Sequence, residues 1–264
     1  MVNNKYIIED LGIPVGEVFH YTKLENLSKI ITPEGIIFHA GRYDAMNDPT
    51  DSEFLTNNIN RLRCKSGLMD IIGEFGGDDI CSFLVSFCRE GDNPLMWRLY
   101  NAEVCLQLDS NAIYEHSKAK GCEHTHMSTV IYSEKIESDS NVFRKMQESL
   151  NLPKFMEQKE YEAQVYASFY KHPHFSVEKE WRIACFGKDP ICSEVKTKDE
   201  RYGVINFYRE IWLPRECLKG IIIRSYDRDM KLVLSRQIEF WLKECGYPEG
   251  SINIQFTQTA CVRN

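Results

Sequence analysis

The stretch "VFHYTKLENLSKII" (residues 18–31) changes its apolar spacing halfway along. An apolar run at Val18 and Phe19 gives way to Leu24, Leu27, Ile30 and Ile31, which recur at helical intervals. Thr22 and Glu25 have the T-x-x-E spacing of a capping box, which predicts a helix start there. A strand that hands over to a helix points to an α+β chain. Thr22 is explained by that start, whereas His20 and Tyr21, at the strand end, are candidates to hold a ligand hydroxyl or to fill the core.

Pro33 and Gly35 end the helix and "GIIFHA" (35–40) reads as a strand. A turn-rich loop, "GRYDAMNDPTD", is tightest at Asn47-Asp48-Pro49, and a helix is expected over "SEFLTNNINRLRC". "ICSFLVSFC" (80–88) is β-prone and buried in character, "NPLMWRLY" (93–100) is a short helical turn, and "EVCLQLD" (103–109) is a strand. A helix from about Ser110 and a strand at "STVIYS" follow, then two helices from about Ser138 to Tyr170 broken near Pro153. "FSVEKEWRIACFG", "YGVINFY" and "GIIIRS" read as strands, the last preceded by a short helix at "PRECLK". "DMKLVLSRQIEFWLKECG" is an amphipathic helix with Met230, Leu232, Val233, Ile238 and Leu242 on its inner side, and "SINIQFTQT" is a closing strand. Strands and helices do not alternate strictly, which predicts one α+β domain over residues 1–264.

Composition narrows the function classes. With 264 residues, 43% hydrophobic and 27% charged, the chain has the make-up of a soluble globular protein with a sizeable core. No apolar run is long enough to span a membrane, and the first residues lack a basic end followed by an apolar core, so a cytoplasmic protein is expected. The net charge of −7 argues against broad electrostatic capture of nucleic acid, although Arg61, Arg63 and Lys65 stand close together. The ten cysteines are scattered, without a C-x-x-C pair, and read as reduced and mostly buried. Cys122, His124, His126, His172 and His174 match no strong ligand spacing, and no metal site is assigned.

The segment "HFSVEKEWRIACF" carries the chemistry. Read as a strand, it puts Phe175, Val177, Trp181 and Ile183 on one face and Glu178, Glu180 and Arg182 on the other. Carboxylates two residues apart on one strand face stand roughly 7 Å apart. Such a face can stabilise an oxocarbenium-like centre, or it can be a salt-bridged sheet surface. Ser86 near the end of a buried strand and the Trp97/Tyr100 pair can likewise frame a planar ligand or serve the core.

Taken in order, "FHYTKLENL", "FHAGRYDAMNDPTDSEF", "SFC", "MWRLY" and "EKEWRI" resemble the bacterial family catalogued as domain of unknown function 2971, over roughly residues 18–225. More distantly, the layout is similar to the ADP-ribosyltransferase superfamily. That resemblance implies a mixed, mostly antiparallel split sheet with flanking helices, NAD as the cofactor, and a protein or nucleic-acid acceptor. It implies that His20, with Tyr21 and Thr22, binds the NAD ribose, that Ser86, Trp97 and Tyr100 frame the nicotinamide, and that Arg182 supports the cofactor site. Glu180 would stabilise the transition state and Glu178 would orient the acceptor. The function so implied is modification of a macromolecule or hydrolysis of NAD, in bacterial antiviral defence or toxin biology. Two other readings stand beside it: a non-catalytic module that binds a nucleotide or protein, and a nucleic-acid-processing enzyme in which Asp48, Glu53, Glu178 and Glu180 gather a divalent metal.

Overall fold

The computed structural model describes residues 15–43, 57, 82–134, 161, 165, 168–199, 205–224 and 228–258. Along the chain come β1 (Glu17–Thr22), a 3-10 turn at Leu24–Asn26, α1 (Leu27–Ile30), β2 (Ile31–Thr32) and β3 (Gly35–Arg42). Then follow β4 (Phe83–Cys88), α2 (Pro94–Leu99), β5 (Val104–Asp109), α3 (Ser110–Ala119), β6 (Thr125–Thr129) and β7 (Ile131–Tyr132). Next are β8 (Tyr170–Lys171), a 3-10 segment at Pro173–Glu178, β9 (Glu180–Cys185), β10 (Lys196–Asp199) and β11 (Ile205–Leu213). A 3-10 turn at Arg215–Cys217, β12 (Leu218–Ile223), α4 (Arg228–Glu244) and β13 (Asn253–Phe256) complete the order. The class is mixed α/β with mostly antiparallel strand pairing. Among the described residues no helix is long and apolar enough to cross a membrane.

The chain divides into two compact units. The first comprises Met1–Ile13, His39–Val85 and Lys120–Ile211. Its β6 and β9 run antiparallel from Thr125↔Cys185 to Thr129↔Trp181, and β10 runs antiparallel to β11. Every residue of β9 is buried, which fits a strand paired on both sides, with β4 and β6. The second unit comprises Pro14–Phe38, Ser86–Ala119 and Trp212–Asn264. At its centre β5 pairs antiparallel with β1 and with β12, and β13 adds parallel to β12. Phe19, Tyr21, Cys88, Met96, Trp97, Ala102, Cys105 and Ile222 form one buried cluster there. Gly35 is required in this unit: at φ +145° a side chain would be strained, and a Cβ would come within 2.7 Å of the Leu213 carbonyl oxygen.

Three local readings need correction. The capping box at Thr22 does not form, because Lys23 occupies the cap position and makes no side-chain cap bond. Glu103 accepts from the Leu24 N–H, and Thr22 Oγ1 accepts from Asn26 Nδ2. In α4, Met230, Leu232 and Val233 are exposed, while Ile238 and Leu242 are buried. The helix is turned so that Ile238, Leu242 and the following Cys245 lie inward, with the Trp241 indole donating to the Ile31 carbonyl. The third correction concerns residues 173–178, which are a 3-10 segment and not strand.

Candidate functional site

The 3-10 segment at Pro173–Glu178 builds the site. His172 caps the 3-10 segment through Nδ1, Pro173 opens it, and Lys179 ends it in the left-handed region at φ +44°. Strand geometry therefore begins only at Glu180. The turn at Lys179 brings Glu178 back beside Glu180, so the two carboxyl groups interact directly and do not stand two strand positions apart.

Lys171, from β8, binds both acids: its ammonium donates to Glu178 Oε2 at 2.8 Å and to Glu180 Oε1 at 3.1 Å. Arg182 donates through Nε to Glu180 Oε2 at 2.6 Å and through Nη1 to the Ser168 carbonyl at 2.9 Å. The Glu180 N–H donates to the Tyr132 hydroxyl at 2.8 Å, and Lys171 sits 4.6 Å from the Phe175 ring centroid. All four charged side chains are buried, so their attraction is little screened.

The environment separates the two acids. Burial, then the hydrogen bond shared with Glu180, raises Glu178 to about 7, against the pull of Lys171. Burial opposes ionisation of Glu180 too, but Arg182 and Lys171 outweigh it and hold that carboxyl at about 2. Two neighbouring carboxyls with proton affinities pushed apart form an acid–base pair, one group fixed as an anion and the other ready to exchange a proton near neutrality.

The other sequence-derived candidates lie in the second unit. His20 is half-buried, edge-on to Phe38 and Phe87 at centroid distances of 4.7 and 5.8 Å, with Nδ1 3.4 Å from the Ser86 carbonyl oxygen. Burial lowers it to about 4, so the ring is neutral at pH 7. Tyr21 has its hydroxyl fully engaged, donating to the Glu90 carbonyl at 2.9 Å and accepting from the Asn93 N–H at 2.8 Å. Trp97 is wholly buried against Tyr21 and donates to Asp92 at 2.9 Å, whereas Tyr100 is 44% exposed. Trp97 thus serves the core and Tyr100 the surface. Thr22 meets Asn26, and the Ser86 hydroxyl is buried without a hydrogen-bond partner among the described residues.

The structure thus brings Glu178, Glu180 and Arg182 together and adds Lys171 and Tyr132, which the sequence reading missed. No motif flags Lys171; it reaches the acids from β8, which pairs with the strand that ends in Tyr132. His126 donates or accepts at the Tyr161 hydroxyl across 2.7 Å, and no group of metal ligands occurs among the described residues. Asp48, Glu53, the Asn47-Asp48-Pro49 loop, Arg61, Arg63 and Lys65 lie outside the described residues.

No curated protein and no solved structure matches the chain. Over residues 96–183, an interval running from the Met-Trp turn to the Glu-x-Glu-Trp-Arg strand, the chain is similar to the family described as "Protein of unknown function (DUF2971)".

Proposed function

We propose that the chain is an ADP-ribosyltransferase-like enzyme that acts on NAD, passing ADP-ribose to a protein or nucleic-acid acceptor or to water, in bacterial defence. The observation that carries this reading is the buried acid pair, with Glu178 at about 7 and Glu180 at about 2. Breaking the glycosidic bond sends its electron pair to the departing nicotinamide and leaves positive charge on the ribose. The ionised Glu180 supplies compensating negative charge, and Lys171 and Arg182 fix its orientation. As the acceptor bonds to the ribose carbon, its proton passes to ionised Glu178.

The test is nicotinamide release from NAD by the purified protein. Glu178→Gln should abolish release while the far-ultraviolet spectrum and unfolding midpoint show a folded chain. Absence of release from the unaltered protein, with candidate acceptors present and no NAD binding, overturns the reading. A second reading, a non-catalytic nucleotide- or protein-binding module, is favoured by one specific observation: both Glu180 oxygens are already held in ion pairs. It is the reading to adopt if NAD binds, is not consumed, and still binds to Glu178→Gln.

A further inference from the structure

A second cluster in the same unit has no part in that chemistry. Cys185 ends β9, and Cys192 follows it after a short return loop, with the two sulfurs 3.1 Å apart. Cys185 is buried and Cys192 is half-buried, so only the second is open to a reagent.

The loop is held in place before any bond forms between the sulfurs. The Cys192 N–H donates to the Asp189 carbonyl at 2.9 Å, and Cys192 bridges to Ile211. Thr125, in register with Cys185, donates to Asp189 Oδ2 at 2.6 Å and lies 3.6 Å from each sulfur. Asp189 also accepts from the N–H groups of Glu123 and His124, at 3.0 and 2.9 Å. Arg209 is buried, donates to the Gly187 carbonyl and packs on the Phe83 ring at 4.9 Å. Its Nε has no partner among the described residues.

We propose that Cys192 and Cys185 are a redox-active dithiol, in which Cys192 attacks a hydroperoxide and Cys185 resolves the product to an intrachain disulfide. The asymmetry needed for this is present: the hydrogen bond with Cys185, helped by Thr125 and the Arg209 charge, lowers Cys192 against its burial and the Asp189 charge. Burial raises Cys185, which keeps its proton. An accessible thiolate beside a resolving thiol is the arrangement of peroxide-reactive cysteines.

In the first step the Cys192 thiolate forms a sulfur–oxygen bond and the peroxide oxygen–oxygen bond breaks. Sulfur is oxidised by two electrons, and the leaving hydroxide or alkoxide takes up a proton. In the second step Cys185 attacks the Cys192 sulfenic acid. The sulfur–sulfur bond forms, the sulfur–oxygen bond breaks, and hydroxide leaves with the Cys185 proton as water. A thiol reductant reverses the result.

The experiment treats the reduced full-length protein with stoichiometric hydrogen peroxide, alkylates the remaining thiols, and maps disulfides in the digest. The expected product is one linked peptide joining Cys185 to Cys192, lost on addition of dithiothreitol. Cys192 should be consumed about tenfold faster than half-buried Cys122, as a thiol lowered by its hydrogen-bonding neighbours predicts. Cys185→Ser should stop at a sulfenic acid on Cys192, trapped by dimedone, and Cys192→Ser should form no link. The peptide map of the unaltered protein decides the matter even where a variant fails to fold. Links scattered among the other cysteines, or equal consumption of Cys122 and Cys192, overturn the proposal. The result is independent of NAD turnover.

Discussion

Arg182 and Glu180 are joined across 2.6 Å with both side chains almost wholly removed from water. Taking two charges out of water is costly, and the pair is stable only while each compensates the other. Lys171 makes the arrangement a network, since the same ammonium serves Glu180 and Glu178.

Removing one member should therefore be severe. Arg182→Met leaves Glu180 buried and under-compensated, and a loss of about 3–5 kcal/mol is expected in urea unfolding. Arg182→Met combined with Glu180→Gln should lose less than the two single changes added together, because the orphaned charge is gone. A loss below about 1 kcal/mol for Arg182→Met would mark the pair as effectively solvent-screened.

Glu178 gives a pH signature of opposite sign to an ordinary paired acid. Its folded value, about 7, lies above the ordinary 4.5, so the folded chain holds a proton that the unfolded chain releases. Its contribution to stability is complete below pH 4.5 and is lost as pH rises through 7. Glu178→Gln should flatten the fall in unfolding midpoint across that interval. An unchanged pH slope in the variant would show that Glu178 is not the titrating group.

Trp97 and Tyr100 separate core from surface. Trp97→Ala opens a cavity in the cluster around Tyr21 and should cost about 3–5 kcal/mol. Tyr100→Ala, at an exposed position, should stay within about 0.5 kcal/mol of the parent. Equal effects in thermal or urea unfolding would contradict the packing described.

His20 and His126 should both remain neutral far below ordinary histidine range. Burial sets them at about 4 and about 3, against 6.5 for a free imidazole. The stability they contribute is complete above pH 6.5 and is lost as pH falls toward those values. Ring-proton NMR titration of the folded chain tests this directly: a midpoint near 6.5 for either ring refutes its enclosure.

Much of the fold was legible because it is local. The short apolar run "EVCLQLD" announced β5, and the long apolar period announced α4, although not the rotation that buries Ile238 and exposes Met230. What failed depended on distant partners. The capping box at Thr22 was a sound local pattern, but the helix start lies one residue later and Glu103, the residue before β5, supplies the side-chain acceptor there, for the Leu24 N–H. The acids at 178 and 180 were visible as a motif, whereas Lys171 was not, since its place follows from the pairing of β7 with β8. The Cys185–Cys192 contact was equally hidden, because C-x6-C has no fixed meaning until a loop closes it.

Lys179 at φ +44° is what folds Glu178 back onto Glu180. The mutual influence of the two acids thus depends on a single backbone torsion as well as on the burial and cations around them. Glycine at 179 would keep the curl at no steric penalty, while valine would favour the extended form and pull the acids apart. A chain could retune such an acid pair by changing a neighbour whose own side chain takes no part in the chemistry.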